Sequence, residues 1–120
     1  MTHFVHQPFT LWPVGLEIGS HCGFLAYGKD APNAVEIVLP HHDGTGDATS
    51  YIVDRALLAI GLHRRASNGA IVVRPHRTRA DWLIVTLTAP SGAGDFYADA
   101  VVLRMFLDAT AELVPLEVAA

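Results

Sequence analysis

The side chains of this 120-residue sequence best suited to metal or nucleophile chemistry are seven histidines and one cysteine. His41-His42-Asp43 is the densest cluster, and His3-x-x-His6 is the next. Neighbouring imidazoles seldom face one ion, and the chain around His41 and His42 supplies no third ligand at a defined spacing, so a solvated loop accounts for them and no metal is expected. His21-Cys22 places a thiol beside a base, but nucleophilic catalysis also needs a group to orient the base and a pocket for substrate, and neither is readable. A single cysteine excludes an internal disulfide and a zinc site built on paired cysteines. Gly15-x-x-x-Gly19 and Gly44-x-Gly46 lack the following Lys-Ser/Thr and helix of a phosphate loop. Asp43, Asp47, Asp54, Asp81, Asp95 and Asp99 fall mostly at turns and helix starts, where aspartate has a structural use. No catalytic set is readable and no cofactor is expected, although an unrecognised small-molecule site or enzyme stays open as a further reading.

The arginines are the stronger signal. Residues 55–79 hold six arginines (Arg55, Arg64, Arg65, Arg74, Arg77, Arg79) and no acid, a formal +6. The rest of the chain holds all 12 acids and two bases, Lys29 and Arg104, a formal −10, which gives the net −4. Such a strip attracts phosphate or an acidic protein surface. Three readings follow: solvated or intersubunit charge, an acidic protein partner, or nucleic acid. Base-stacking aromatics are absent inside the strip, although Tyr51 and Trp82 flank it. Arg64 and Arg65 follow a predicted helix end, where cations meet the negative end of the helix dipole.

The elements that must position these residues come from periodicity and turn chemistry. Residues 2–12 read as an edge strand, because Pro8 cannot donate to a ladder. Strands follow at 24–27, 34–39 and 51–53, with a turn at 28–33 and a polar loop at 41–50. Asp54 is placed to cap a short helix, 55–60, closed by Gly61. Asn68-Gly69 is a turn, and 70–74, 81–89 and 95–98 read as strands. Asp99 then caps a long helix from Ala100 to about Val114, with Arg104, Asp108 and Glu112 as its polar face. Leu103, Phe106 and Leu107 mark the apolar stripe, as core or as a subunit interface. Seven strands in runs, with two helices, make an α+β domain with an antiparallel sheet.

Composition bounds the rest. The chain is 51% hydrophobic and 17% charged, below the ~25% charge typical of soluble domains. One domain spanning 1–120 is expected, and oligomerisation would cover the apolar surface left over. Hydrophobicity this high excludes disorder over most of the chain. The start lacks a signal-peptide pattern, and no run approaches the ~20 apolar residues of a membrane helix. A cytoplasmic protein is expected.

Tyr51–Val73 reads YIVDRALLAIGLHRRASNGAIVV. It resembles the SsgA-like proteins, which act in sporulation-specific cell division of streptomycetes and related actinobacteria. The matching positions are Arg55, Leu57, Leu58, Ala59, Gly61, Leu62, His63, Arg64, Gly69, Val73 and Pro75. Ala89-Pro90-Ser91-Gly92, the terminal helix and the turn Asp30–Val35 continue the same order, and Tyr51 stands where the family carries tryptophan. The resemblance implies a curved antiparallel β-sheet barrel similar to the whirly proteins, with a short helix after the fourth strand, a long C-terminal helix and assembly as a trimer. It implies a non-enzymatic adaptor, recruited to the division septum, whose partners are division proteins such as the tubulin-like FtsZ or another septum-site protein. The whirly likeness implies the alternative, single-stranded nucleic-acid binding. Arg55 and Arg64 belong to the shared pattern. The candidate partner-binding residues are Arg64, Arg65, Arg74, Arg77 and Arg79.

Overall fold

Apolar residues alternate with polar or small ones along much of the chain, and a period of two makes strands with one buried face. The computed structural model describes residues 4–15, 21–40, 48–89 and 92–116. The elements run β1 (Phe4–Pro13), β2 (His21–Gly28), β3 (Ala34–Pro40), β4 (Ala48–Asp54), α1 (Arg55–Gly61), β5 (Ala66–Ser67), β6 (Ile71–Pro75), β7 (Trp82–Ala89), β8 (Gly92–Asp99) and α2 (Ala100–Leu113). The strands form one antiparallel sheet in the order β4-β3-β2-β1-β8-β7-β6-β5. Two meanders of sequence neighbours, β1–β4 and β5–β8, are thus joined at a seam between β1 and β8. The seam is short: Leu11 faces Ala98, Trp12 faces Tyr97 and Pro13 faces Phe96.

The connection between the meanders dictates the shape. β4 and β5 are opposite edges of the sheet, yet only α1 and residues 62–65 link them. Laid flat, eight strands would hold their outer members about 33 Å apart. Seven helical residues reach about 10 Å, and a four-residue link adds roughly 15 Å. The sheet must therefore curl, and it forms a half-barrel. α2 packs against β1, β7 and α1, while α1 packs against β4, β5 and β6.

Odd-numbered positions face the core along β1, β2 and β3: Phe9, Leu11, Leu25, Tyr27, Val35, Ile37 and Leu39 are buried. Ile71, Val73, Leu83, Val85, Leu87 and Ala98 continue that face through β6, β7 and β8, and Leu57, Leu58, Leu103, Phe106 and Leu107 from the helices fill the concave side. Leu103, Phe106 and Leu107 thus belong to the chain's own core. The caps match their sequence signals. Asp54 Oδ1 accepts from Ala56 N at 3.0 Å, and Asp99 Oδ1 accepts from Val101 N at 2.8 Å and Val102 N at 3.3 Å. Arg104, Asp108 and Glu112 are exposed. No helix among the described residues is long and apolar enough to cross a membrane.

Several expectations change. β1 is central, not an edge strand. Pro8 is tolerated there because β8 joins β1 only at Leu11–Pro13, leaving Pro8 paired with β2 alone, opposite Phe24. Gly61 is not a helix stop; it is the last residue of α1, and Leu62 is the cap. Its role is close approach, since a Cβ there would lie 2.5 Å from Val73 Cγ1. β4 begins at Ala48, within the segment expected to be loop. The two-residue β5 was not foreseen; it is too short to carry a periodic pattern. Gly69 does take a left-handed turn, at φ 95°, and Asn68 Oδ1 accepts from Ile71 N at 3.0 Å. His3, His41-His42-Asp43, Gly19, Gly44-x-Gly46 and Pro90-Ser91 lie outside the described residues.

Candidate partner-binding face

The arginine strip divides into a buried member and an exposed group. Arg55 is 3% exposed. Its Nη1 donates to Val114 O at 2.7 Å and its Nη2 to Pro115 O at 3.3 Å, with the guanidinium 5.0 Å from the centre of the Tyr27 ring. Its Nε is buried and without a partner among the described residues. Arg55 therefore ties the start of α1 to the end of α2, a structural task. Arg64 and Arg65 are exposed just beyond α1, Arg74 is half-buried on β6, and Arg77 and Arg79 are exposed in the loop between β6 and β7. Ala66 pairs with Val73, so Arg65 and Arg74 stand at the same end of the β5–β6 ladder, the end from which the β6–β7 loop departs. Folding thus gathers all five candidate partner-binding arginines at one end of the second meander.

The outward face of the sheet adds what sequence reasoning missed. Arg74 pairs with Ile84, Ile84 with Tyr97 and Tyr97 with Trp12, so these four lie in one row across β6, β7, β8 and β1. Trp82, one outward position along β7, meets Trp12 edge to face with ring centres 5.0 Å apart and Tyr97 at 6.5 Å. The His76 ring lies 5.5 Å from that of Tyr97, and the Arg79 guanidinium sits 5.6 Å from the centre of a Trp82 ring. Trp12, His76, Arg79, Trp82 and Tyr97 line a pocket of about 230 Å³. The signal for it was present: Trp12 and Trp82 each sit one position from a core leucine, so parity sends them outward. What parity cannot supply is the pairing of β1 with β8, which puts Trp12 opposite Tyr97.

The loop that carries Arg79 is closed by its own hydrogen bonds. His76 Nδ1 accepts from Thr78 N and Arg79 N, both at 3.2 Å. His76 N donates to Trp82 O at 3.0 Å, and Trp82 N donates to Arg79 O at 3.1 Å. Accepting two N–H groups leaves the neutral ring's proton on Nε2, available as a donor.

A second apolar area lies on the same convex side, over the first meander. Phe4, His6, Ala26, Glu36 and Ile52 surround a shallow cavity of about 270 Å³. Phe4 and Ile52 are each 61% exposed, and Phe24 stacks on His6 at 6.1 Å. His21 and Cys22 do not form a pair: neighbours on a strand point to opposite faces, and His21 packs edge-on against Phe96 while Cys22 is exposed. Among the described residues no three His, Cys, Asp or Glu side chains come together.

Residues 23–118 match the family described as "Streptomyces sporulation and cell division protein, SsgA". The sporulation-specific cell division protein SsgB of Streptomyces coelicolor is 33% identical over 92 residues, 76% of this chain and 66% of that protein. SsgB of Thermobifida fusca is 30% identical over 92 residues, 76% of this chain and 65% of that protein. A sporulation-specific cell division protein of Frankia casuarinae is 38% identical over 74 residues, 61% of this chain and 49% of that protein. The chain thus spans between half and two thirds of the length of these relatives. Among solved structures, S. coelicolor SsgB, studied for mutations that correlate with longitudinal cell division during sporulation, superposes with a TM-score of 0.80 at 30% identity, covering 96% of this chain and 90% of that one. An SsgA-like sporulation-specific cell division protein of T. fusca superposes at 0.72 and 25% identity, over 93% of this chain and 81% of that one. Of the positions that carry the sequence resemblance, Arg55 ties α1 to the end of α2, Gly61 lets α1 approach β6 closely, and Leu57 and Leu58 are buried in the core. With these residues inside the matched span and the half-barrel shared, the chain belongs to the SsgA family of sporulation and cell division proteins.

Proposed function

We propose that this chain is an oligomeric adaptor of sporulation-specific septation, which positions septum assembly by contacting FtsZ or another septum-site protein. The observation that carries this reading is the gathering of Arg64, Arg65, Arg74, Arg77 and Arg79 at one end of the second meander, in a chain of net charge −4. Exposed guanidinium groups steer association with an acidic surface. Repetition of that face in a homo-oligomer, a trimer by family likeness, turns modest contacts into avidity. Leu103, Phe106 and Leu107 are taken up by the core, so the oligomer would use other apolar groups: Phe4, Phe24 and Ile52 on the sheet, or Val101 and Met105 on α2, all exposed. The protein would be held at the septum by its partner.

Co-sedimentation with polymerised FtsZ tests the contact. Changing Arg74, Arg77 and Arg79 together to Ala should weaken pelleting roughly tenfold; pelleting equal to the unmodified protein would remove the arginine assignment. Sedimentation velocity tests the assembly. A trimer that Ile52→Glu or Met105→Glu reduces to monomer is the expected result, because a charge in an apolar interface stays desolvated without a partner. Monomer at every concentration would remove the oligomer from this reading.

One observation favours a second reading, single-stranded nucleic acid: Trp12, Trp82 and Tyr97 stand beside Arg74 and Arg79, the pairing of stacking rings and cations that bases and phosphates use. A salt titration of oligonucleotide binding separates it, since phosphate contacts predict affinity falling steeply with salt.

A further inference from the structure

We infer that the pocket between Trp12, Trp82 and Tyr97 is a docking site for an extended acidic peptide, with one apolar or proline side chain seated among the rings and a neighbouring carboxylate on Arg79. The inference deepens the adaptor reading and rests on it, because it supplies the chemistry by which a protein partner would be recognised.

Four observations carry it. First, both tryptophans of the chain are here, on the convex face, while Leu11, Leu83 and Ala98 beside them satisfy the core. Trp12 remains 37% exposed. Clustered, partly exposed tryptophan and tyrosine next to arginine is the composition of binding hot spots. Second, the cation is already placed. The loop bonds of His76 and Trp82 fix residues 76–82 as a closed turn, and Arg79 is parked against the Trp82 ring, so little ordering remains for a ligand to impose. Third, size favours a small occupant. About 230 Å³ is below the ~300–1,000 Å³ of small-molecule and cofactor sites, and suits a peptide side chain or two. Aromatic-lined grooves of this kind take extended, proline-bearing segments.

Fourth, charge selects between macromolecules. Arg74, Arg77 and Arg79 are the cations of this corner, while Asp81, Asp95 and Asp99 border it. Asp95 accepts from Thr86 Oγ1 at 2.5 Å, and Asp99 is the cap of α2, so both carboxylates are committed and fixed. A continuous phosphate backbone would have to pass them, whereas a single carboxylate placed on Arg79 need not. The rings also form one cluster rather than the succession of separate platforms along which single strands stack. A peptide fits better than a nucleic acid.

Panning a random-peptide display library on the purified full chain tests this. Selected sequences should share an aspartate or glutamate next to a proline, leucine or aromatic residue. The corresponding synthetic peptide should change tryptophan fluorescence on titration. Arg79→Gln and Trp12→Ala, each with an unchanged far-ultraviolet spectrum and melting temperature, should bind it about tenfold or more weakly. Arg79 is exposed in a loop, so its variant keeps the test valid if Trp12→Ala fails to fold. Selected peptides without acids, peptide binding indifferent to both substitutions, or no enrichment at all would overturn the inference. Tighter binding of an oligothymidylate than of any peptide, abolished by the same substitutions, would overturn it in favour of nucleic acid. The adaptor reading fails separately: peptide binding at the pocket with no co-sedimentation on FtsZ or capture of another septum protein removes that reading alone, and co-sedimentation unaffected by Arg79→Gln removes the pocket alone.

Discussion

Arg55 shows how one residue type can serve two ends. In sequence it belongs to a basic strip, and in the folded chain it is the member withdrawn from solvent. A buried guanidinium is expensive unless its protons are satisfied. Two carbonyls beyond the end of α2 and the face of Tyr27 supply most of that requirement. Arg55→Ala removes the donors and opens a void beside Tyr27, and should lower stability by about 2–4 kcal/mol in urea denaturation. It should also speed protease cleavage beyond Leu113, because the chain there loses its tether. Unchanged cleavage with lowered global stability would place the whole effect in the core. The exposed arginines should behave differently. Single alanine changes at Arg64 or Arg77 should stay within about 0.5 kcal/mol of the unmodified stability.

Helices in this chain start where aspartate ends a strand. Asp54 and Asp99 each close a β-strand and accept the first free N–H groups of the following helix. Asp99→Ala leaves Val101 N and Val102 N to water and should cost about 1 kcal/mol, read as an earlier urea midpoint with an unchanged slope. Asp99→Asn should restore most of it. Such local chemistry is why both helices, their N-terminal caps and most strand centres were legible in the sequence: aspartate at a strand end, Asn68-Gly69, and the alternation of Ile71, Val73, Leu83, Val85 and Leu87. β5 was not legible because two residues carry no period. The centrality of β1 was not, because Pro8 argues correctly against two-sided pairing at its own position but is silent about Leu11–Pro13. The five candidate partner-binding arginines were legible as a strip, though not as one corner, since their convergence follows from the Ala66–Val73 register. Trp12 and Tyr97 lie far apart in sequence, and only the seam between β1 and β8 joins them.

At the scale of the whole molecule, a 17% charged chain folds with its long helix inside a half-barrel and leaves apolar groups on the convex side. The core absorbs the residues that sequence offered as an interface, so the proposed self-association and partner binding would draw on the outer face of the sheet or on the exposed side of α2 around Val101 and Met105. The sheet's two apolar areas are separate, one around Phe4 and Ile52 on the first meander and the other around Trp12 and Trp82 across the seam, a separation that would let one serve the proposed assembly while the other stays free. The short seam between those meanders also sets a kinetic order. Each meander closes through contacts between sequence neighbours, which form fast. The seam joins residue 11 to residue 98, and its loop-closure entropy must be met before any contact rewards it. The docking of two part-formed halves across Leu11–Pro13 is therefore expected to be the rate-limiting step of folding. In stopped-flow refolding, Leu11→Ala should slow the folding limb in proportion to the stability lost, a φ near 0.5 or above, whereas Val35→Ala in the outer part of the first meander should act mainly on unfolding.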